Sequence, residues 1–398
     1  MSPEQAQAGQ SELTQAADRA LVAGDMRTAR ALLERAVLET EPDAELWLRL
    51  AACRRALGDI EAAMMAVEGA LAGDPRHFGA LLMRASLLER MGHARQAAIA
   101  YGIALTQAPP AGGLDEATTR AVAHARQAHA RHLAELESAL KAELGVADGR
   151  ATAGDSRRVN TFIERLAGKR RVYHQEPVSF HYPGLPEIEF HDREDFPWLA
   201  EFEAATDDIR GELIEILRED GDDLQPYVNY PAGVPLDQWA ELNRSPRWGA
   251  FHLYFDGRQV VWNAKRAPKT MAAIARLPQP WVPGRSPAAM FSVLQPRTRI
   301  PPHTGVANTR LVVHLPLIVP EGCGFRVGSE TREWREGEAW VFDDTIEHEA
   351  WNDSDRPRTI LICDVWNPRL SEAERDAITS VMNAMDRFSG TAPAAAGL

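Results

Sequence analysis

Cysteine is scarce. The three present in 398 residues, Cys53, Cys323 and Cys363, are odd in number and show no CxxC spacing, which excludes a disulfide framework and a cysteine zinc cluster and suits a reducing, cytoplasmic setting. Long apolar runs are missing as well. The longest, Leu311 to Val319, is about half of what a membrane-spanning helix needs, and the opening MSPEQAQAGQ has no basic stretch followed by an apolar one. Neither a membrane span nor an export signal is expected. Positive charge is in deficit, with 44 Lys plus Arg against 57 Asp plus Glu and a net charge of −13. That balance opposes attraction to phosphate backbones and anionic lipid, so nucleic acid and membrane are not expected partners.

What is present is ordinary globular material, 45% hydrophobic and 25% charged, in a chain long enough for two or three domains. Its first quarter is periodic. Gly24, Gly58 and Gly92 stand 34 residues apart, and Ala29, Ala63 and Ala97 follow the same step, as do Ala36, Ala70 and Ala104. A 34-residue period is that of tetratricopeptide repeats, paired helices whose small residues allow close packing around a glycine turn. From Glu116 to Leu144 there is no Pro or Gly, and one long capping helix is expected.

The pattern predicts a repeat domain over residues 11–145, a linker at 146–157 rich in Gly, Asp and Ser, and a second domain over 158–390. In that second domain, Val159, Phe162, Ile163 and Leu166 mark a short helix, and Trp198 to Leu217 marks another. A β core is expected at about 288–368, with strands at Met290–Leu294, Leu311–Val319, Gly324–Val327, Thr331–Trp334, Ala339–Phe342, Glu349–Asn352 and Thr359–Val365 separated by tight turns. Many short strands with such turns suggest a sandwich or jelly roll, of which the cupin barrel is one form. Ser371 with Glu374 reads as a capping box opening a final helix, 371–389, with Ile378, Val381, Met382, Met385 and Phe388 on its apolar face and its end near Gly390. The fold class expected is therefore multidomain, α followed by α+β.

Four polar residues stand out in the β core. His303 and His348 both lie at strand ends, where neutral imidazoles gathered at a barrel mouth are good ligands for iron, copper or zinc. Arg358 opens a strand that offers it no partner before Asp364; it either grips a carboxylate as a planar fork or closes a turn salt bridge with Asp353 or Asp355. His314 interrupts an apolar run, either as an internally bonded core histidine or, with Arg310 four residues earlier on the same strand face, as part of the mouth. Ser292 could add a hydroxyl there.

The segments FSVLQP, PPHTG, NTRLVVHL, FDDTIEHEAW and DVWNP, in that order between Phe291 and Pro368, resemble the aspartyl/asparaginyl β-hydroxylase family of iron(II)- and 2-oxoglutarate-dependent oxygenases, whose animal members also place tetratricopeptide-like helices before the oxygenase domain. The resemblance implies a double-stranded β-helix domain that uses Fe(II), 2-oxoglutarate and O2, hydroxylates an Asp- or Asn-like side chain in a peptide or protein, and releases succinate and CO2. It implies His303 and His348 as iron ligands, Arg358 and Ser292 on the distal carboxylate of 2-oxoglutarate, and His314, with Arg310 on the same strand face, near its other end. Gly305 stands where related oxygenases carry an acidic ligand, which leaves a coordination position for water or, in a halogenase, chloride. Val312 stands where animal members carry an arginine, a departure that bears on whether their substrate preference carries over. Asp343 and Asp344 are expected either to orient the metal site or to form a turn. A repeat scaffold with a non-catalytic barrel is the competing class.

Overall fold

A computed structural model of the chain describes residues 3–110, 112–146, 153–220 and 224–389, and its contacts divide it into two compact units, Met1–Lys169 and Arg170–Leu398. The first unit is helical: α1 (Pro3–Val22), α2 (Met26–Glu39), α3 (Ala44–Ala56), α4 (Ile60–Gly73), α5 (Phe78–Arg90), α6 (Ala94–Leu105), α7 (Glu116–Val146) and α8 (Ala153–Leu166). The first six are three pairs in register with the 34-residue period. Each pair turns on its glycine, at φ of 76°, 85° and 82° for Gly24, Gly58 and Gly92, a conformation that a side chain resists. Asp25 and Asp59 then cap the second helices by accepting the N–H of Thr28 and Ala62. All six periodic alanines are fully or almost fully buried, as their spacing predicts.

The domain boundary falls later than the sequence suggested. Helix α8 was expected to open the second domain, but it packs on α7 and belongs to the first unit. Of its expected apolar face only Ile163 is buried, while Phe162 is 60% exposed; the Lys169 ammonium then lies 2.5 Å from Glu137 on α7. Residues 147–152 of the expected linker lie outside the described residues.

The second unit contains helices α9 (Leu199–Ala204), α10 (Thr206–Asp220), α11 (Val261–Arg266), α12 (Pro268–Ile274) and α13 (Glu372–Ser389). Its strands are β1 (Gln225–Pro226), β2 (Trp248–Phe255), β3 (Arg258–Gln259), β4 (Ala289–Leu294), β5 (Thr298–His303), β6 (Arg310–Ile318), β7 (Cys323–Val327), β8 (Glu330–Arg332), β9 (Trp340–Phe342), β10 (His348–Asn352) and β11 (Arg358–Trp366). They form two antiparallel sheets. The larger runs β1-β2-β4-β11-β6-β9 with β3 beside β2, and the smaller runs β5-β10-β7-β8. Because side chains alternate along a strand, Leu361, Cys363 and Val365 of β11 pack under Leu199, Phe202, Leu213 and Ile216 of the helices. Ile360, Leu294 and Val312 of the same sheet face the smaller sheet instead, against Ile300, Phe325 and Ala350.

The seven expected strands are present within a few residues. Two that matter were not foreseen. The run of β5 contains Pro301 and Pro302, which lack a ladder N–H and speak against a strand; β5 is tolerated because it is an edge of its sheet. The aromatic β2 is buried on both faces over most of its length, so it has no alternation to detect. The expected helix from Trp198 to Leu217 is two, broken at Ala205. The capping box forms, with Ser371 N–H on Glu374 Oε2 at 2.8 Å, but on α13 only Ile378 and Met382 are buried, and Val381, Met385 and Phe388 face solvent. Gly390 lies outside the described residues. All three cysteines are buried free thiols, and no described helix is long and apolar enough to cross a membrane.

A helix interior normally gains about 1 kcal/mol when Gly becomes Ala. Gly69 on α4 should behave oppositely, because an added methyl would stand 2.7 Å from the Trp47 ring. Overpacking of this kind costs about 1–3 kcal/mol. Gly69→Ala is expected to lower the urea midpoint of the helical unit, read by far-ultraviolet circular dichroism, and a raised midpoint would show that Trp47 yields freely.

Candidate active site

The pairing of β5 with β10 puts His303 directly opposite His348. Their ring centroids are 4.0 Å apart. In each, the ring Nδ1 meets a carbonyl two residues back, Pro301 O at 2.8 Å and Ile346 O at 3.1 Å. A carbonyl only accepts, so each Nδ1 carries the proton and each Nε2 keeps its lone pair. Burial, reinforced by the neighbouring ring, pulls the His303 pKa to about 3, and burial pulls that of His348 to about 4. Both are neutral, the form that coordinates metal. Among the described residues no third His, Cys, Asp or Glu converges with them as a ligand set.

Arg358, first residue of β11, is 1% exposed, and its Nε and Nη1 have no hydrogen-bond partner. The guanidinium stands 4.7 Å over the Trp334 ring. No ion pair forms with Asp353 or Asp355 among the described residues, so the turn salt bridge is set aside. Burial lowers its pKa to about 10, still charged at neutral pH. A buried, unpaired guanidinium is costly unless an anion meets it. Ser292, buried at the register position opposite Ile360, accepts the Trp248 indole N–H at 3.0 Å, which leaves its own O–H to donate. His314 is packed between Phe325 and Phe342, its Nδ1 unpartnered, with its pKa held well below the usual value by burial and then by the charge of Arg358.

Above this floor lies a cavity of about 100 Å³. Arg310, Val312 and His314 line it from alternate positions of β6, as the strand period requires; Arg358 and Ser292 do not line it but sit behind it. Arg310 Nη2 lies 3.1 Å from Asp344 Oδ2, and its Nε lies 3.8 Å from Asp364 Oδ2. The two expected roles of the aspartate pair divide between them. Asp343 shapes the turn, accepting the Thr345 N–H and hydroxyl and the Gln175 amide, and burial pushes its pKa up to about 6. Asp344 faces the site. Tyr227 and Trp248, which no periodicity had marked, stack at 3.9 Å and complete the mouth.

The side-chain space at Gly305 is filled. Gly305 N–H donates to Asp344 O at 2.6 Å, and a Cβ there would overlap Asp344 Oδ2. Glycine is needed because the Asp344 carboxylate occupies its side-chain space. Gly305→Ala is therefore expected to push Asp344 off Arg310 and to cost about 1–3 kcal/mol, a fall of several degrees in a thermal melt. Gly305→Asp should be worse, not a gain of a ligand. A wild-type melt for Gly305→Ala would mean that Asp344 has room to move.

Two neutral histidines with free Nε2 lone pairs, and a buried unpaired guanidinium, are groups able to hold a metal and an anion. Residues 203–368 match the family model described as aspartyl/asparaginyl beta-hydroxylase. The chain is 34% identical over 168 residues to the human aspartyl/asparaginyl beta-hydroxylase, covering 42% of this chain and 22% of that one. It is 34% identical over 201 residues, 50% of this chain and 67% of the other, to the ornithine lipid ester-linked acyl 2-hydroxylase of Rhizobium tropici. It is 31% identical over 217 residues, 52% and 55%, to aspartate beta-hydroxylase domain-containing protein 2 of Xenopus tropicalis. The chain belongs to the aspartyl/asparaginyl β-hydroxylase family. It spans about a fifth of the length of the mammalian hydroxylases it matches. Among solved structures it is similar to the Arabidopsis OM64 TPR domain at 16% identity and a TM-score of 0.27, over 31% of this chain and 98% of that one.

Proposed function

We propose that the protein is an iron(II)- and 2-oxoglutarate-dependent dioxygenase of double-stranded β-helix fold that hydroxylates an aliphatic carbon of an amino-acid side chain in a peptide or protein, releasing succinate and CO2. The observation that carries this reading is Arg358, a fully buried cation with two unpartnered nitrogens, in the same β core as two neutral histidines, His348 buried and His303 half-buried. The donor set fits both groups. His303 and His348 would hold iron through the nitrogens their Nδ1 contacts leave free, and Arg358 with the Ser292 hydroxyl would hold the distal carboxylate of the keto acid. When bound, iron with 2-oxoglutarate and O2 supplies the oxidising power to hydroxylate an unactivated C–H bond.

The chain's own residues bind, orient and shield. The carbonyls of Pro301 and Ile346 fix the imidazole tautomers and so the direction of their lone pairs. Phe325 and Phe342 pack against both His314 and His348 and exclude water from the metal side. His314, neutral and with a nitrogen free, can bond the keto-acid end nearer the metal. Asp344, set by Arg310 and by its contact with Gly305, orders whatever polar group shares the metal's open side. The helical repeats are assigned to presenting a long substrate, since every residue of the chemistry lies in the second unit.

Aerobic incubation with iron(II), 2-oxoglutarate and ascorbate should release succinate slowly without substrate; no succinate and no 2-oxoglutarate binding would leave the scaffold reading in its place. Arg358→Ala should weaken 2-oxoglutarate binding by about 2–5 kcal/mol, the cost of truncating one side of a buried charge pair, while iron affinity holds. Calorimetric titration with each checks both, and unchanged keto-acid affinity would remove Arg358 from the site.

A further inference from the structure

Along the inner face of β11 the residues Arg358, Ile360, Ile362 and Asp364 follow one another at two-residue steps. Arg358 lies behind the cavity, and Asp364 lies about 20 Å along the strand, at roughly 3.3 Å per residue, beside Arg310 at the mouth. A five-carbon diacid anchored at Arg358 does not reach that far, so Asp364 belongs to the substrate's side. One of its oxygens accepts the Ala288 N–H at 2.8 Å. The other, Oδ2, has no hydrogen-bond donor although the residue is 2% exposed, and it stands 3.8 Å from Arg310 Nε. Arg310 is the cation lining this cavity, and its closer partner is Asp344. The mouth thus sets two carboxylates against one guanidinium. Around them Val312, which pairs with Asp364 across the strands, and Met290 and Ile362 supply aliphatic wall.

We infer that this mouth selects a substrate group carrying a positively charged nitrogen on an aliphatic stem, held by Asp364, and that it disfavours an acidic side chain. The inference rests on the dioxygenase reading for which end of the cavity the substrate enters. A substrate carboxylate would meet no free cation here and two negative neighbours. An ammonium would satisfy the vacant oxygen of Asp364 and lay its methylenes on Val312, Met290 and Ile362, as long cationic side chains do elsewhere.

The test uses n-butylamine and butyrate, one chain length with opposite charges, titrated at pH 8 into the full chain by ligand-observed NMR. It is run on metal-free protein and on protein loaded with zinc(II) and N-oxalylglycine, unreactive substitutes for iron and the keto acid. The amine should bind about tenfold or more tightly than the acid, as a charge-assisted hydrogen bond predicts. Asp364→Asn should abolish that preference. Val312→Arg, which leaves Asp364 in place and adds a free cation, should reverse it, and it keeps the test decisive if Asp364→Asn fails to fold. Equal or tighter butyrate binding, or a preference unchanged in Asp364→Asn, would overturn the inference. Failure of zinc and N-oxalylglycine to bind while the amine preference persists would count against the dioxygenase reading and for the role of Asp364.

Discussion

The register between β5 and β10 is the constraint on which the site depends. In an antiparallel pair a slip of one residue turns every side chain to the opposite face, and here it would separate His303 from His348. Several features hold the register. The ladder from His348 to Asn352 is irregular between His348 and Ala350, so the strand bends where the histidines meet. The prolines of β5 are admissible because among the described residues it is the edge of its sheet, and Pro301 returns its carbonyl to the His303 ring. Interior strand β10 is held on its other side by β7, from Val327 to Cys323.

Around the histidines the interior is expensive in a way that structure alone does not require. Arg358, His314, Asp344 and Asp364 are all nearly inaccessible, and each leaves at least one polar atom without a hydrogen-bond partner. A domain selected only for stability would replace them with aliphatic residues. The neighbouring polar groups that serve the fold behave differently. Asn308 bonds Gln175 and Tyr182, and Asn352 bonds the carbonyls of Leu294, Gln295 and Arg356.

The helical unit is organised by a different rule. Its stability comes from repetition: buried alanines and glycine turns recur at one period, with aspartate caps in the first two pairs, and each pair covers the apolar face of the next. Among its described residues nothing resembles the crowded polar interior of the second unit, and the residues proposed for chemistry all follow Arg170.

Much of this was open to a reader of the sequence, because it depends on local pattern. The 34-residue period, the alternation of β6, the capping box of α13 and the odd polar residues His303, His314, His348 and Arg358 are carried by neighbours a few positions apart, and the motifs in sequence named the family. The tertiary structure decided what depends on distant segments meeting. It made β5 an edge strand despite its prolines, moved α8 to the first unit, gave Asp343 to a turn and Asp344 to the site, and filled the space over Gly305 with a carboxylate 39 residues away. It also left Arg358 without the turn partners that sequence proximity offered. Side-chain spacing along a chain fixes which face a residue takes. Only the closure of two sheets on each other fixes what it finds there.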